Sequence, residues 1–95
     1  MKSIIDGKLY DTEKAELIFE YQMENGLDRL FSKQNDILWH DITIYKTANG
    51  GYFETDELEG YAAKFNVVSE AKVKETIARI NPDHYIELFG EVEEA

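Results

Sequence analysis

The stretch Ala48-Asn49-Gly50-Gly51 constrains this chain more than any other. It separates residues 36–47, rich in Ile, Trp, Tyr and Thr, from Tyr52-Phe53-Glu54. Asn-Gly readily adopts the left-handed backbone of a tight hairpin turn, and its flanking arms carry the β-branched and aromatic residues that fit a pleated strand. An antiparallel pair is therefore expected in the middle of the chain. A second, smaller hairpin is expected at Ser3–Tyr10, where Asp6-Gly7 supplies a positive-φ pair.

Around these hairpins the pattern predicts helices. Asp11 or Thr12 can cap one that runs to Met23 or Glu24 and stops at Asn25-Gly26. Its apolar residues, among them Leu17, Ile18, Phe19 and Tyr21, cover most of the circumference and leave a stripe of Glu13, Glu16, Glu20 and Glu24. Residues 27–31 read as a helical turn or short second helix. Leu58, Tyr61, Ala62 and Phe65 fall at i, i+3, i+4, i+7, which predicts a helix capped by Thr55 and weakened by Gly60. Val67-Val68 reads as a short strand. Ser69 caps a helix with Val73, Thr76, Ile77 and Ile80 on one face, and Asn81-Pro82-Asp83 opens another that Gly90 closes. The expected fold is α+β: two β-hairpins forming a small antiparallel sheet packed against three or four helices. Residues 1–95 form a single domain in this reading, with a frayed acidic tail at 91–95.

Catalytic chemistry has little to draw on. There is no cysteine, which removes disulfides, thiolate metal sites and cysteine nucleophiles. His40 and Asp41 are adjacent, but neighbours on a strand point to opposite faces and cannot form a base–orienter pair, so His40 reads as an ordinary sheet residue. Gly50-Gly51 lacks the lysine and helix of a phosphate loop. Asp83, His84 and Glu87 have the helical spacing of a metal site but no second ligand pair nearby; a solvated helix face is the plainer reading. The loop Asp56–Gly60 does not match a calcium loop. No enzyme activity, cofactor or metal is expected.

Charge is the strong lead. Twenty acidic residues stand against ten basic ones, for a net charge of −10. Such a chain has no electrostatic reason to bind nucleic acid directly or an anionic membrane. With no long apolar run and no export signal at Met1–Gly7, a cytoplasmic protein is expected. The imbalance is concentrated in two base-free blocks: Glu54, Asp56, Glu57 and Glu59 within residues 47–63, and Asp83, Glu87, Glu91, Glu93 and Glu94 within residues 80–95. On a helix, carboxylates three or four apart stack at about 5–6 Å, close to the phosphate spacing of a nucleic-acid strand. Rows of that kind suit a basic groove; acidic faces also serve plain solubility, and both readings stand.

Three blocks carry a resemblance: Ile4-Ile5-Asp6-Gly7-Lys8-Leu9-Tyr10-Asp11-Thr12-Glu13-Lys14-Ala15, Ile44-Tyr45-Lys46-Thr47-Ala48-Asn49-Gly50-Gly51-Tyr52-Phe53, and Tyr85-Ile86-Glu87-Leu88-Phe89-Gly90. With them the chain resembles small accessory proteins of phages, plasmids and integrative elements. Those families often have a Gly-rich acidic loop after the second hairpin; here Thr55–Gly60 takes its place. The shared motifs are turns, caps and core aromatics, and they carry over no catalytic or binding residue. Mobile elements also carry short acidic anti-CRISPR proteins that block Cas9-type nucleases, whose channels are positively charged. The resemblance thus implies a non-enzymatic inhibitor that occupies a nucleic-acid-binding surface of a Cas9-like nuclease by charge mimicry. Its expected contact residues are Glu54, Asp56, Glu57, Glu59, Asp83, Glu87 and Glu91. Tyr52 or Tyr61 would be the aromatic anchor, unless they pack in the hairpin or core. The alternative is a small interaction or regulatory module of a mobile element that binds mainly through apolar surface.

Overall fold

A computed structural model describes residues 1–24 and 39–95. Among these described residues six strands lie in two antiparallel sheets, followed by two short helices. Strands β1 (Lys2–Ile5) and β2 (Lys8–Asp11) form the first sheet. Strands β3 (Glu16–Glu24), β4 (Trp39–Lys46), β5 (Tyr52–Leu58) and β6 (Lys64–Val68) form the second, in the order β3-β4-β5-β6. Helices α1 (Glu70–Ile80) and α2 (Pro82–Phe89) close the chain before an exposed stretch, residues 91–95, without helix or strand.

The two hairpin turns and the caps of α1 and α2 form where local chemistry places them, whereas Asp11, Thr12 and Thr55 cap no helix. Asp6 and Gly7 have φ of 51° and 76°, the paired positive values of a two-residue hairpin turn. Gly50 has φ of 90°, and the Gly51 N–H donates to Thr47 Oγ1 at 3.0 Å. Ser69 Oγ accepts from the Lys72 N–H at 3.1 Å and starts α1. Asn81 serves both helices: its N–H donates to Ile77 O, and its Oδ1 accepts from the His84 N–H at 3.1 Å, ahead of Pro82.

Two expected helices are strands instead, so the predicted sheet against three or four helices is corrected to a mostly β fold with two helices among the described residues. Asp11 does accept from the Glu13 N–H through Oδ1 at 3.0 Å, but the turn it opens ends by Ala15. The chain then runs extended as β3. An irregularity in the β3–β4 register between Leu17 and Phe19 lets consecutive residues Ile18 and Phe19 both join the core. That bulge explains why an apolar run without alternation is nonetheless a strand. The supposed helix from Thr55 is the end of β5, a turn with Gly60 at φ of 84°, and β6. The two hairpins also do not join: β1 and β2 remain a separate sheet. The reading of residues 27–31 lies outside the described residues.

Cross-strand partners share a face, so register assigns the four-stranded sheet's two sides. Phe19, Ile44 and Tyr52 face the helices and form the core with Ile18, Val73 and Ile77; Tyr85 and Phe89 pack at its margin. On the outer face Phe53 is 0% exposed beneath stacked rings of Tyr45 (5.1 Å) and Phe65 (5.8 Å). Tyr10 of β2 meets Phe53 edge-on at 5.4 Å, so the N-terminal hairpin covers one end of the outer face. Among the described residues no helix is long and apolar enough to cross a membrane.

Candidate protein-interaction surface

The acidic block on β5 is split by strand geometry. Successive side chains alternate between faces, so Glu54 and Asp56 lie on the helix side while Glu57 lies on the outer side. Opposite Glu57 is Asp41 of β4, and opposite Asp41 is Gln22 of β3. Glu20 is two residues before Gln22 on the same face.

These outer side chains line two adjoining shallow depressions that share Asp41 and Glu57. One, about 510 Å³, is bordered by Glu20, Gln22, Asp41, Tyr45 and Glu57. The other, about 550 Å³, runs from Asp41 and Glu57 past Glu59 to Tyr61 and Met1. No lysine or arginine among the described residues borders either. Glu20, Asp41, Glu57 and Glu59 are all exposed, and Gln22 Nε2 donates to Asp41 Oδ1 at 2.9 Å. Like charges directly opposite on a sheet, as at Asp41 and Glu57, are destabilising. Their field reaches a neighbour: the Tyr45 phenol is raised above its ordinary pKa by burial, then by the carboxylates of Glu57 and Glu20.

The inner-face carboxylates have other surroundings. Asp56 Oδ1 is 2.6 Å from His40 Nδ1, a diagonal pair across β4 and β5. Glu54 is half-buried, and burial, then Asp56, hold its carboxyl above the usual range, with Lys72 opposing. Tyr21 is raised by burial and then Glu54. His40, read from sequence as an ordinary sheet residue, therefore has a carboxylate partner sixteen residues away, not its neighbour Asp41.

The remaining expected residues are dispersed. Tyr52 is 6% exposed and belongs to the core, whereas Tyr61 is 72% exposed. Asp83 and Glu87 do share α2, and Glu91 lies beyond Gly90 in the exposed end. Glu87 Oε2 is 3.4 Å from His84 Nδ1; the His84 ring stacks on Phe19 and its Nε2 lies 2.9 Å from Ile18 O. Of Asp83, His84 and Glu87, only His84 docks α2 on β3, and among the described residues no group of three His, Asp or Glu side chains is arranged to hold a metal ion. The expected Glu stripe of residues 13–24 is also dispersed. On a strand, Glu16, Glu20 and Glu24 stand roughly 13 Å apart in succession. Glu20 reads in the sequence only as part of a helical stripe, and Asp41 only as the neighbour of His40; strand pairing brings both beside Glu57.

Compared with family models, curated proteins and solved structures, the chain matches none.

Proposed function

We propose that this protein is a non-enzymatic binding module whose outer sheet face docks on a basic surface of a nucleic-acid-handling protein. The resemblance to mobile-element proteins makes a Cas9-like defence nuclease the first partner to test, with nucleic acid displaced by charge mimicry. One observation carries the reading: Glu20, Asp41, Glu57 and Glu59, from three strands and a turn, border two adjoining depressions that share Asp41 and Glu57 and that no described lysine or arginine borders. Four carboxylates exposed together, two of them directly opposed, cost stability in the free protein; a cationic partner relieves that cost. Tyr61 is the accessible aromatic at the rim.

The test is competition binding to a Cas9-like nuclease between about 50 and 300 mM salt. Affinity should fall steeply with salt, and the triple reversal Glu20→Lys, Asp41→Lys, Glu57→Lys should abolish binding. Reversal of Asp83 and Glu87 on α2 should leave it largely intact. Salt-insensitive binding, or none to any basic partner, overturns the proposal.

A second reading, docking through apolar surface, is favoured by one specific observation. Ile4 and Leu9 are direct cross-strand partners in the N-terminal hairpin, 74% and 51% exposed. A double change of Ile4 and Leu9 to Ser that removes binding while the triple reversal does not would select it.

A further inference from the structure

Among the described residues β3 and β6 are the edges of the four-stranded sheet, and they differ in how they are protected. β3 carries Glu16, Glu20 and Glu24 and a register irregularity, both devices that discourage edge pairing. β6, Lys64-Phe65-Asn66-Val67-Val68, is the one described strand of this sheet with no carboxylate, and its pairing with β5 is regular. In a chain of net charge −10, it is the edge where two copies can approach with least repulsion.

We propose that β6 is a self-association edge, at which two copies pair antiparallel about a two-fold axis at Asn66. The five-residue strand is complementary to itself in that register. Phe65 of each copy falls opposite Val67 of the other, an aromatic–β-branched pair on the outer face. Lys64 falls opposite Val68, so the two lysines lie at opposite ends and do not face each other. Asn66 meets its own copy at the axis and can exchange side-chain hydrogen bonds.

Three further features fit a second copy. Val67 is 52% exposed and borders a groove of about 580 Å³ with Leu9 and Tyr10 of β2, space for an incoming side chain beside the strand. Phe65 already stacks on Phe53, so the pairing would continue an apolar layer through Val67 of the second copy. Glu54, opposite Asn66 on β5, would face its counterpart across three strand spacings, about 14 Å, beyond the screening length of about 8 Å at physiological salt. A two-fold pairing uses the β6 edge of each copy once, leaves only the protected β3 edges outermost, and therefore closes as a dimer.

Association of two acidic copies should strengthen as salt rises, opposite in sign to capture of a basic partner, so this inference and the proposed function fail separately. Sedimentation equilibrium of the full chain up to about 0.5 mM should show twice the 11.0 kDa mass, with the dimer fraction rising with added salt. Val67→Lys, at an exposed position, should leave the far-ultraviolet circular dichroism unchanged and remain monomeric. Because the chain lacks cysteine, Asn66→Cys provides a direct geometric test. Mild oxidation should cross-link that variant to a covalent dimer much faster than Val92→Cys in the exposed terminal stretch. A monomeric mass at every salt and concentration, or cross-linking of the Asn66→Cys variant no faster than of the Val92→Cys control, overturns the pairing.

Discussion

The two faces of the four-stranded sheet both carry carboxylates and put them to different uses. On the helix side, Asp56 is held by His40 and Glu54 is half-buried beside it. On the outer side, Glu20, Asp41 and Glu57 face solvent, with a hydrogen bond between Gln22 and Asp41. Glu54, Asp56 and Glu57 are near neighbours in sequence, yet the first two belong to the architecture and the third to the surface. A carboxylate's role here follows from its parity along the strand, not from the local charge density.

Substitutions can test that contrast. The largest effects should come from the apolar anchors of the two faces. Phe53→Ala removes the ring beneath Tyr10, Tyr45 and Phe65 and should cost about 3–5 kcal/mol; Ile77→Ala, in the helix-side core, should cost about 2–5 kcal/mol. Urea denaturation measures both. If the two faces fold as one unit, both variants will shift a single transition. A separate early transition for Phe53→Ala would show that the outer aromatic layer with the N-terminal hairpin is an independent unit.

Next in size is a pair of substitutions with opposite signs. Asp56→Ala deletes the partner of His40 and should destabilise by about 1 kcal/mol. Asp41→Asn relieves its opposition to Glu57 and should stabilise by about 0.2–1 kcal/mol. Thermal melts at low salt should resolve the difference, and added salt should shrink the Asp41 effect. Equal losses from both changes would dissolve the distinction between the faces.

The smallest effect is a pH dependence at Glu54. Its folded carboxyl titrates above the ordinary glutamate value, so the folded state holds the proton more tightly than the unfolded state. Stability from this group is therefore lost as pH rises from the ordinary glutamate range through the raised value. Glu54→Gln should melt slightly higher than the parent at pH 7, with the gain vanishing below the ordinary glutamate range. A gain that persists unchanged in acid would mean that burial of the charge is not its cause.

How much of this is legible in the sequence depends on the range of the interaction involved. Asp6-Gly7, Gly50, Ser69, Asn81-Pro82 and Gly90 act within a few residues, and the turns and caps read from them are present. The β3 segment reads as a helix because Leu17-Ile18-Phe19 does not alternate. A continuous apolar run is compatible with a helix covered on two sides and with a bulged strand, and only pairing with β4 separates them. Leu58, Tyr61, Ala62 and Phe65 match helical spacing by coincidence: Gly60 turns the chain between two strands, leaving Tyr61 exposed and Phe65 against Phe53. On the surface, Glu57, Glu59 and Tyr61 are identifiable as candidates from the sequence, while Glu20 reads as part of a helical stripe and Asp41 as the neighbour of His40 until strand pairing sets them beside Glu57.

The amino-acid sequence alone determines the net charge of −10, the absence of thiol chemistry, the two hairpin turns and the caps of α1 and α2, because each depends on composition or a few adjacent residues. Tertiary structure decided the rest. Strand register turned Glu54 and Asp56 inward and gathered Glu20, Asp41 and Glu57 outward, and it paired His40 with Asp56 across sixteen residues. The physical reason is the two-residue period of a strand. Its side chains alternate between faces, so which carboxylates become neighbours depends on how distant segments align.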